Sequence, residues 1–218
     1  MHIGVMQSAA VQLLPGWIRR LRILHPDVAI KLYEGTSPEV TAWTLAGVVE
    51  VGITSGTHPD LNSRIIYEDD FVVVVPFNHS FATETSIGLK NLDGKRLLVS
   101  SDSYDILIKD QLAAAASHPE IVCAVRDNAT LISMVREGLG LTVIPELALS
   151  AARRDGVQLI RLHPTLPHTI HALTKRHKTF EPVAMTFLGL VQSSRLEGRG
   201  DSDQEMDDGN GQGSRLDS

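Results

Sequence analysis

The sequence predicts an α/β protein built from two units of similar size that are joined by extended crossover strands. Strand and helix signals alternate along the chain, and the helices are long enough to return it between parallel strands. The chain has 218 residues, 43% of them hydrophobic, which is enough to bury a core in each of two lobes.

The first unit has the order β-α-β-α-β, and its predicted elements follow in this order. The strands are predicted at 3–6, 28–34 and 48–53, and the helices at 13–27 and 36–47. Pro15 marks a break where the first helix restarts, because proline suits a first helical turn. In the second helix, Ser37 is predicted as the N-cap, with Pro38 at the first helical position and Gly47 near the end.

The second unit follows two extended runs within 64–81, of which 71–76 is apolar enough to be buried on both faces. Strands are then predicted at 95–100, 120–125, 141–145, 157–162 and 168–175. Helices are predicted at 103–116, 127–138, 146–154 and 181–194, and Asp127 or Asn128 caps the second of these. From about residue 194 the sequence becomes rich in Gly, Asp and Ser, which predicts a disordered tail over 194–218.

Composition excludes several classes of function. The formal net charge of −6 argues against a chain that grips nucleic acid through a basic surface. The single cysteine, Cys123, makes no internal disulfide and lies in an apolar run, which favours a reducing cytoplasm and a buried hydrophobic role. No secretory signal is visible, and no stretch approaches the ~20 apolar residues of a membrane span.

Polar residues gather where predicted strands run into predicted helices. These junctions are Gln7-Ser8, Thr36-Ser37, Ser101-Asp102-Ser103 and Arg126-Asp127-Asn128. In a parallel α/β sheet such ends share one edge, where ligands bind, and free N–H groups there favour anions. The alternative is plain helix capping, since these residue types stabilise helix starts in any case. As a set, they predict a shared binding crevice.

Motifs for catalysis or cofactor binding are not found in the sequence. There is no GxSxG nucleophile elbow and no GxxxxGK[ST] loop, and GLGL follows a helix, which is the wrong context for a dinucleotide fingerprint. We therefore expect no enzyme activity and no cofactor.

Two groups of titratable residues invite a site but have simpler interpretations. His168 and His171 belong to a histidine-rich stretch, yet they lie three apart in a strand and face opposite ways, so no metal site is expected. Asp69 and Asp70 lie between two extended runs and are interpreted as a solvated strand junction rather than an acid/base pair. The basic stretch RRLR at 19–22 reads as a solvated helix face that could also border a partner.

Several stretches, in order, resemble the effector-binding domain of LysR-type transcriptional regulators. They are HIGVMQSAAVQLLPGWIRRLRILHPDVAIKLYEGTSPEVTAWTLAGVVEVGI, VVVVPFNHSFA, LKNLDGKRLLVS and MVREGLGLTVIPELAL. One departure is Glu50 in GVVEVGI, where the family usually has Asp. The resemblance covers about residues 2–193 and implies a type 2 periplasmic-binding-protein fold of two Rossmann-like lobes. Lobe I would be 1–74 plus 169–193, and lobe II would be 75–168.

The resemblance also implies a function. The domain would bind a small metabolite between the lobes, with Gln7, Ser8, Thr36 and Ser37 on the first lobe. Ser101, Asp102, Ser103, Arg126, Asp127 and Asn128 would lie on the second. Arg126 is expected to attract an anionic effector, and inward-facing Asp102 and Asp127 would oppose this.

The resemblance implies that the chain pairs with a second copy of itself, as a homodimer or homotetramer, through the helix at 15–24 and the region 128–137. No contact with a membrane is expected. DNA would be bound only through an N-terminal winged helix-turn-helix, which we expect before the first strand. A solute-binding protein of an importer shares the fold and is the alternative. An enzyme on this fold would need a reactive pair in the cleft.

Overall fold

The computed structural model describes residues 1–101, 104–149, 155–176, 179 and 181–198. Within them the strands are β1 (His2–Met6), β2 (Lys31–Gly35), β3 (Val51–Thr54), β4 (Leu61–Pro76), β5 (Ser86–Ile87), β6 (Arg96–Ser100), β7 (Glu120–Val125), β8 (Thr142–Pro145), β9 (Val157–Leu162) and β10 (Pro167–Lys175). The α-helices are α1 (Gln7–Gln12), α2 (Leu14–Leu24), α3 (Ser37–Ala46), α4 (Tyr104–Ala114), α5 (Asn128–Arg136) and α6 (Pro182–Gly198).

Lobe I is built on a sheet with the strand order β2-β1-β3-β10-β4. The first three strands are parallel, as the predicted crossover helices require, and β10 runs antiparallel between β3 and β4. The inward side chains Ile3, Val5 and Ile53 are fully buried or nearly so. Trp17 of α2 meets Phe187 of α6 edge to face, so the last helix returns to the first lobe.

Lobe II is organised around the second half of β4, which pairs antiparallel with β8 on one side and β9 on the other. Strand β5 continues the sheet beyond β9, β6 pairs parallel with β7, and a bridge between Leu97 and Leu141 connects β6 to the chain entering β8. Helix α5 packs Leu131, Ile132 and Val135 into the core of this lobe.

The strand β4 joins the two lobes. We expected two extended runs here, but the chain forms one continuous strand of 16 residues. Residues 61–70 pair with β10, whereas Phe71 and the residues after it pair with β8 and β9. The strand partners of β4 therefore change between Asp70 and Phe71.

Helix starts follow local capping chemistry, with one difference from expectation. The helices α1 and α2 break at Leu13, with Pro15 in the first turn of α2, as predicted. The N-cap of α3 is Thr36, not Ser37. The Thr36 side chain accepts from the Glu39 N–H, and the Glu39 carboxylate accepts from the Thr36 N–H. Asp127, one of the two predicted alternatives, caps α5.

Two predicted segments near the end of the chain differ from the structure or lie outside it. A helix was predicted over 146–154, but the structure has a short 3₁₀ turn at Glu146–Ala148. Residues 150–154 lie outside the described residues. Helix α6 continues to Gly198, so 194–198, expected to be disordered, are helical, and 199–218 lie outside the described residues. Among the helices of the described part, none is long and apolar enough to cross a membrane.

Candidate functional site

The strand–helix junctions of the two lobes meet across a cleft. Gln7, at the start of α1 in lobe I, donates from its side-chain amide to the Asp127 carboxylate of lobe II at 3.0 Å. The backbone N–H of Asn128 points back to the Gln7 side-chain oxygen at 3.5 Å. Two predicted site segments that lie 120 residues apart in the chain are therefore direct neighbours.

A cavity of about 270 Å³ lies at this meeting point. Its lining residues come from both lobes and are Gln7, Glu34, Gly35, Thr36, Arg126 and Asp127. Gln7, Thr36, Arg126 and Asp127 were all predicted as effector-binding residues. Gln7 and Thr36 follow the parallel neighbours β1 and β2 and share one edge of their sheet, whereas Arg126 and Asp127 follow β7 of a separate sheet and meet them across the cleft.

The predicted cation of this cavity, Arg126, already has a counter-charge. Its guanidinium donates to the Glu39 carboxylate at 3.0 Å, which links lobe II to α3 of lobe I. Hydrogen bonds from the Thr36 backbone and hydroxyl, together with Arg126, hold the pKa of Glu39 below its usual value. Glu39 was not among the predicted site residues, although its i+3 spacing from Thr36 signals a capping box.

Asp127 faces the same cavity and also caps α5. Its carboxylate accepts from the Thr130 N–H at 2.7 Å and from the Thr130 hydroxyl at 2.8 Å. These bonds, with the one from Gln7, lower the pKa of Asp127 from its ordinary value. Asp127 therefore carries negative charge at neutral pH beside Arg126, which opposes an anion at this end.

A larger cavity of about 590 Å³ lies on the other side of the α3 N-terminus. Its lining combines hydroxyls, apolar side chains and one imidazole: Ser37, Pro38, Thr41, Ala42, Leu45, Ser55, Gly56, Leu107, Pro167, His168 and Thr169. The Ser37 and Ser55 hydroxyls lie 2.9 Å apart. Apolar walls with a few converging polar groups are typical of small-molecule sites.

His168 reaches this cavity from β10 and is held by a buried carboxylate. Its Nδ1 lies 2.5 Å from Asp69 Oδ1, with the two side chains only 4% and 7% exposed. The other Asp69 oxygen accepts from the Leu147 N–H of lobe II at 2.6 Å. The interpretation of Asp69 as part of a solvated junction was therefore wrong, whereas its neighbour Asp70 is exposed.

Ser8, the residue after Gln7, is buried, with only 5% of its surface exposed. No hydrogen-bond partner for its hydroxyl is present among the described residues, and the same holds for Thr54 and Ser100. Thr54 and Ser100 are the last residues of β3 and β6, and Ser8 lies in the first turn of α1, two residues after the end of β1. Buried hydroxyls without protein partners are costly, and polar groups left in this state are typical of sites that a ligand or water completes.

The remaining predicted site residues are Asn128, Ser101, Asp102 and Ser103. Asn128 is buried in the first turn of α5, and Ser101 is exposed after β6, where its N–H donates to the Val125 carbonyl. Asp102 and Ser103 lie outside the described residues. Among those described, no group of three His, Cys, Asp or Glu side chains could hold a metal ion.

Two α/β lobes that are connected by crossover strands and enclose a lined cleft define a two-lobed ligand-binding domain. Residues 1–195 match the family model of the LysR substrate binding domain. The chain is 31% identical over 151 residues to the HTH-type transcriptional regulator YvbU of Bacillus subtilis (strain 168). That match covers 68% of this chain and 51% of YvbU, so the chain spans about half of that relative's length.

Solved structures show the same fold. The effector binding domain of QuiR in complex with shikimate matches with a TM-score of 0.81 at 18% identity, over 90% of this chain and 97% of that one. The regulatory domain of Synechocystis PCC6803 CcmR in complex with 2-PG matches with a TM-score of 0.82 at 13% identity, over 89% and 96%. The chain belongs to the LysR substrate binding domain family, and its fold is of the type 2 periplasmic-binding-protein class.

Proposed function

We propose that this chain is the ligand-sensing part of a LysR-type regulator and that a small anionic metabolite binds between its lobes. The observation that carries the proposal is the cleft itself. Two cavities flank the α3 N-terminus at the junction of the lobes, and residues from both lobes line them. Occupancy of such a cleft shifts the balance between open and closed lobes, and so can control DNA binding and transcription by a full-length protein.

The larger cavity is the proposed position of the effector. Ser37, Ser55 and Thr169 offer hydroxyls there, and His168 offers an imidazole whose orientation Asp69 fixes. The apolar walls suit the body of a small organic acid, while the hydroxyls and imidazole suit its carboxylate. The effectors named for the QuiR and CcmR domains, shikimate and 2-PG, support a small-molecule ligand for this fold.

A second copy of the chain is the proposed protein partner, in a homodimer or homotetramer. Ile23 and Leu24 at the end of α2 are 73% and 58% exposed, and Ile121 and Val122 on β7, which packs against α5, are 45% and 37% exposed. A two-fold axis that set α2 of one copy against α5 of the other would cover both surfaces. We also propose that the full-length protein contacts DNA through an N-terminal winged helix-turn-helix and that it is located in the cytoplasm.

The effector proposal is tested by a thermal-shift screen of organic acids, including shikimate, with amino acids, sulfate and phosphate. A ligand at 100 times its dissociation constant stabilises the folded domain by about 2.7 kcal/mol. For the best hit, Ser37→Ala and Thr169→Ala, both in the lining of the larger cavity, should weaken binding, while Ser133→Ala, on the exposed face of α5, should not. Unchanged affinity in both cleft variants would show that the site is assigned wrongly.

A further inference from the structure

The one arginine that lines the smaller cavity is bound to a carboxylate of its own chain. The Arg126 guanidinium and the Glu39 carboxylate are 3.0 Å apart, and their side chains are 68% and 45% exposed. The pair crosses the cleft, since Glu39 belongs to α3 of lobe I and Arg126 follows β7 of lobe II. Solvent reaches both groups, so the pair can open without a large penalty.

One carboxylate oxygen of Glu39 accepts hydrogen bonds from three donors. Oε2 accepts from the Thr36 N–H at 2.7 Å, from the Thr36 hydroxyl at 2.9 Å and from Arg126 at 3.0 Å. A guanidinium with convergent N–H and O–H donors is the set of groups that proteins use to bind carboxylate or phosphate oxygens. Glu39 therefore stands in the place that an oxygen of a small anion would take.

We propose that Glu39 is a specificity-determining residue that competes with an effector anion for Arg126 and Thr36. An anion binds at this end of the cleft only when the Glu39 carboxylate leaves, and its departure breaks the contact between α3 and lobe II. The anion then replaces Glu39 as the bridge between Thr36 of lobe I and Arg126 of lobe II, whereas the Gln7–Asp127 contact remains. This inference deepens the proposed function and rests on it.

The competition predicts that removing the Glu39 charge creates an anion site. Inorganic sulfate is the probe, titrated by calorimetry into the wild-type domain and into Glu39→Gln. Glutamine at this position removes the charge that pairs with Arg126, and its amide oxygen can still accept from the Thr36 N–H when no anion is bound, so α3 keeps its start. Glu34→Gln is the matched control, because Glu34 lines the same cavity and no hydrogen bond to Arg126 or Thr36 is shown for it.

The expected result is sulfate binding at least roughly tenfold tighter in Glu39→Gln than in the wild type. The substitution removes both a competing ion pair and a like-charge repulsion. Glu34→Gln should gain less than about threefold, because only screened repulsion changes. Arg126→Gln added to Glu39→Gln should abolish the gain, and circular dichroism of each variant shows that it is folded before the titration.

No gain in Glu39→Gln, a gain that survives the loss of Arg126, or an equal gain in Glu34→Gln would overturn the inference. These results are independent of whether the wild-type domain binds an organic acid. An organic acid that binds the wild type in the cleft, with no sulfate gain in Glu39→Gln, leaves the proposed function standing and removes only the role of Glu39. A sulfate gain in Glu39→Gln, with no organic acid that binds the wild type, supports the competition between Glu39 and an anion for Arg126 but leaves the organic-acid effector without support.

Discussion

The substitution Asp69→Ala at the connection between the lobes tests the structural role of the buried carboxylate. In the folded domain Asp69 accepts from the Leu147 N–H and lies 2.5 Å from His168 Nδ1. Alanine leaves both of these groups buried and without the carboxylate. Because Leu147 lies in lobe II and Asp69 on the crossover strand, the lost contacts also loosen one lobe against the other.

The magnitude follows from the burial of the pair. A buried polar group left without its partner costs about 1–3 kcal/mol, so the two groups that Asp69 contacts cost about 2–6 kcal/mol together. Domains of this kind have roughly 5–15 kcal/mol of stability, so the variant loses a large part of it. At about 2–4 °C per kcal/mol for 150–250 residues, the melting temperature should fall by roughly 4–24 °C.

The assay is chemical denaturation followed by circular dichroism, with Asp70→Ala as the matched control. Asp70 is the next residue on β4 but is exposed, so its loss should change stability by no more than about 0.5 kcal/mol. Asp69→Asn should fall between the two, because an amide oxygen still accepts from the Leu147 N–H. Equal stability of Asp69→Ala and Asp70→Ala would refute the reasoning.

Three further predictions concern packing, capping and pH. Gly52→Ala should destabilise by about 1–3 kcal/mol in denaturant titrations, because its Cβ would lie 2.2 Å from the Thr44 hydroxyl. Asp127→Ala should cost about 1 kcal/mol through the lost cap at neutral pH. Since hydrogen bonds from Thr130 lower the pKa of Asp127, the wild-type advantage should disappear as the pH falls below about 4. Burial lowers the pKa of His171, so the folded state binds fewer protons than the unfolded one. The contribution of His171 to stability should therefore rise with pH up to the ordinary histidine pKa of about 6.5, and this rise should be lost in His171→Gln.

The sequence could predict the parts of the site that depend on local rules. Gln7 and Thr36 directly follow the parallel strands β1 and β2, and parallel neighbours bring such positions to one edge of their sheet. The break at Pro15 and the cap at Asp127 are equally local, because they depend on backbone geometry within a single turn.

Pairings between distant residues could not be predicted in the same way. Asp69 and His168 become partners only because β4 and β10 pair in one particular register. Arg126 and Glu39 are 87 residues apart and meet only when the two lobes close on each other. Neither contact can be inferred from residue spacing or hydrophobic periodicity in the sequence. For this reason Asp69 was predicted to be solvated and Arg126 to be available to an anion.

Amide hydrogen exchange with a bound ligand tests the location of the effector site most directly. The domain is measured alone and with a saturating amount of the best acid from the thermal-shift screen. Exchange should slow at the residues that surround the two cavities, within 7–12, 36–42, 55–56, 126–130 and 167–169. Slowing confined to the outer surface of lobe II, such as the cavity beside Phe77, with no change along the cleft, would contradict the account.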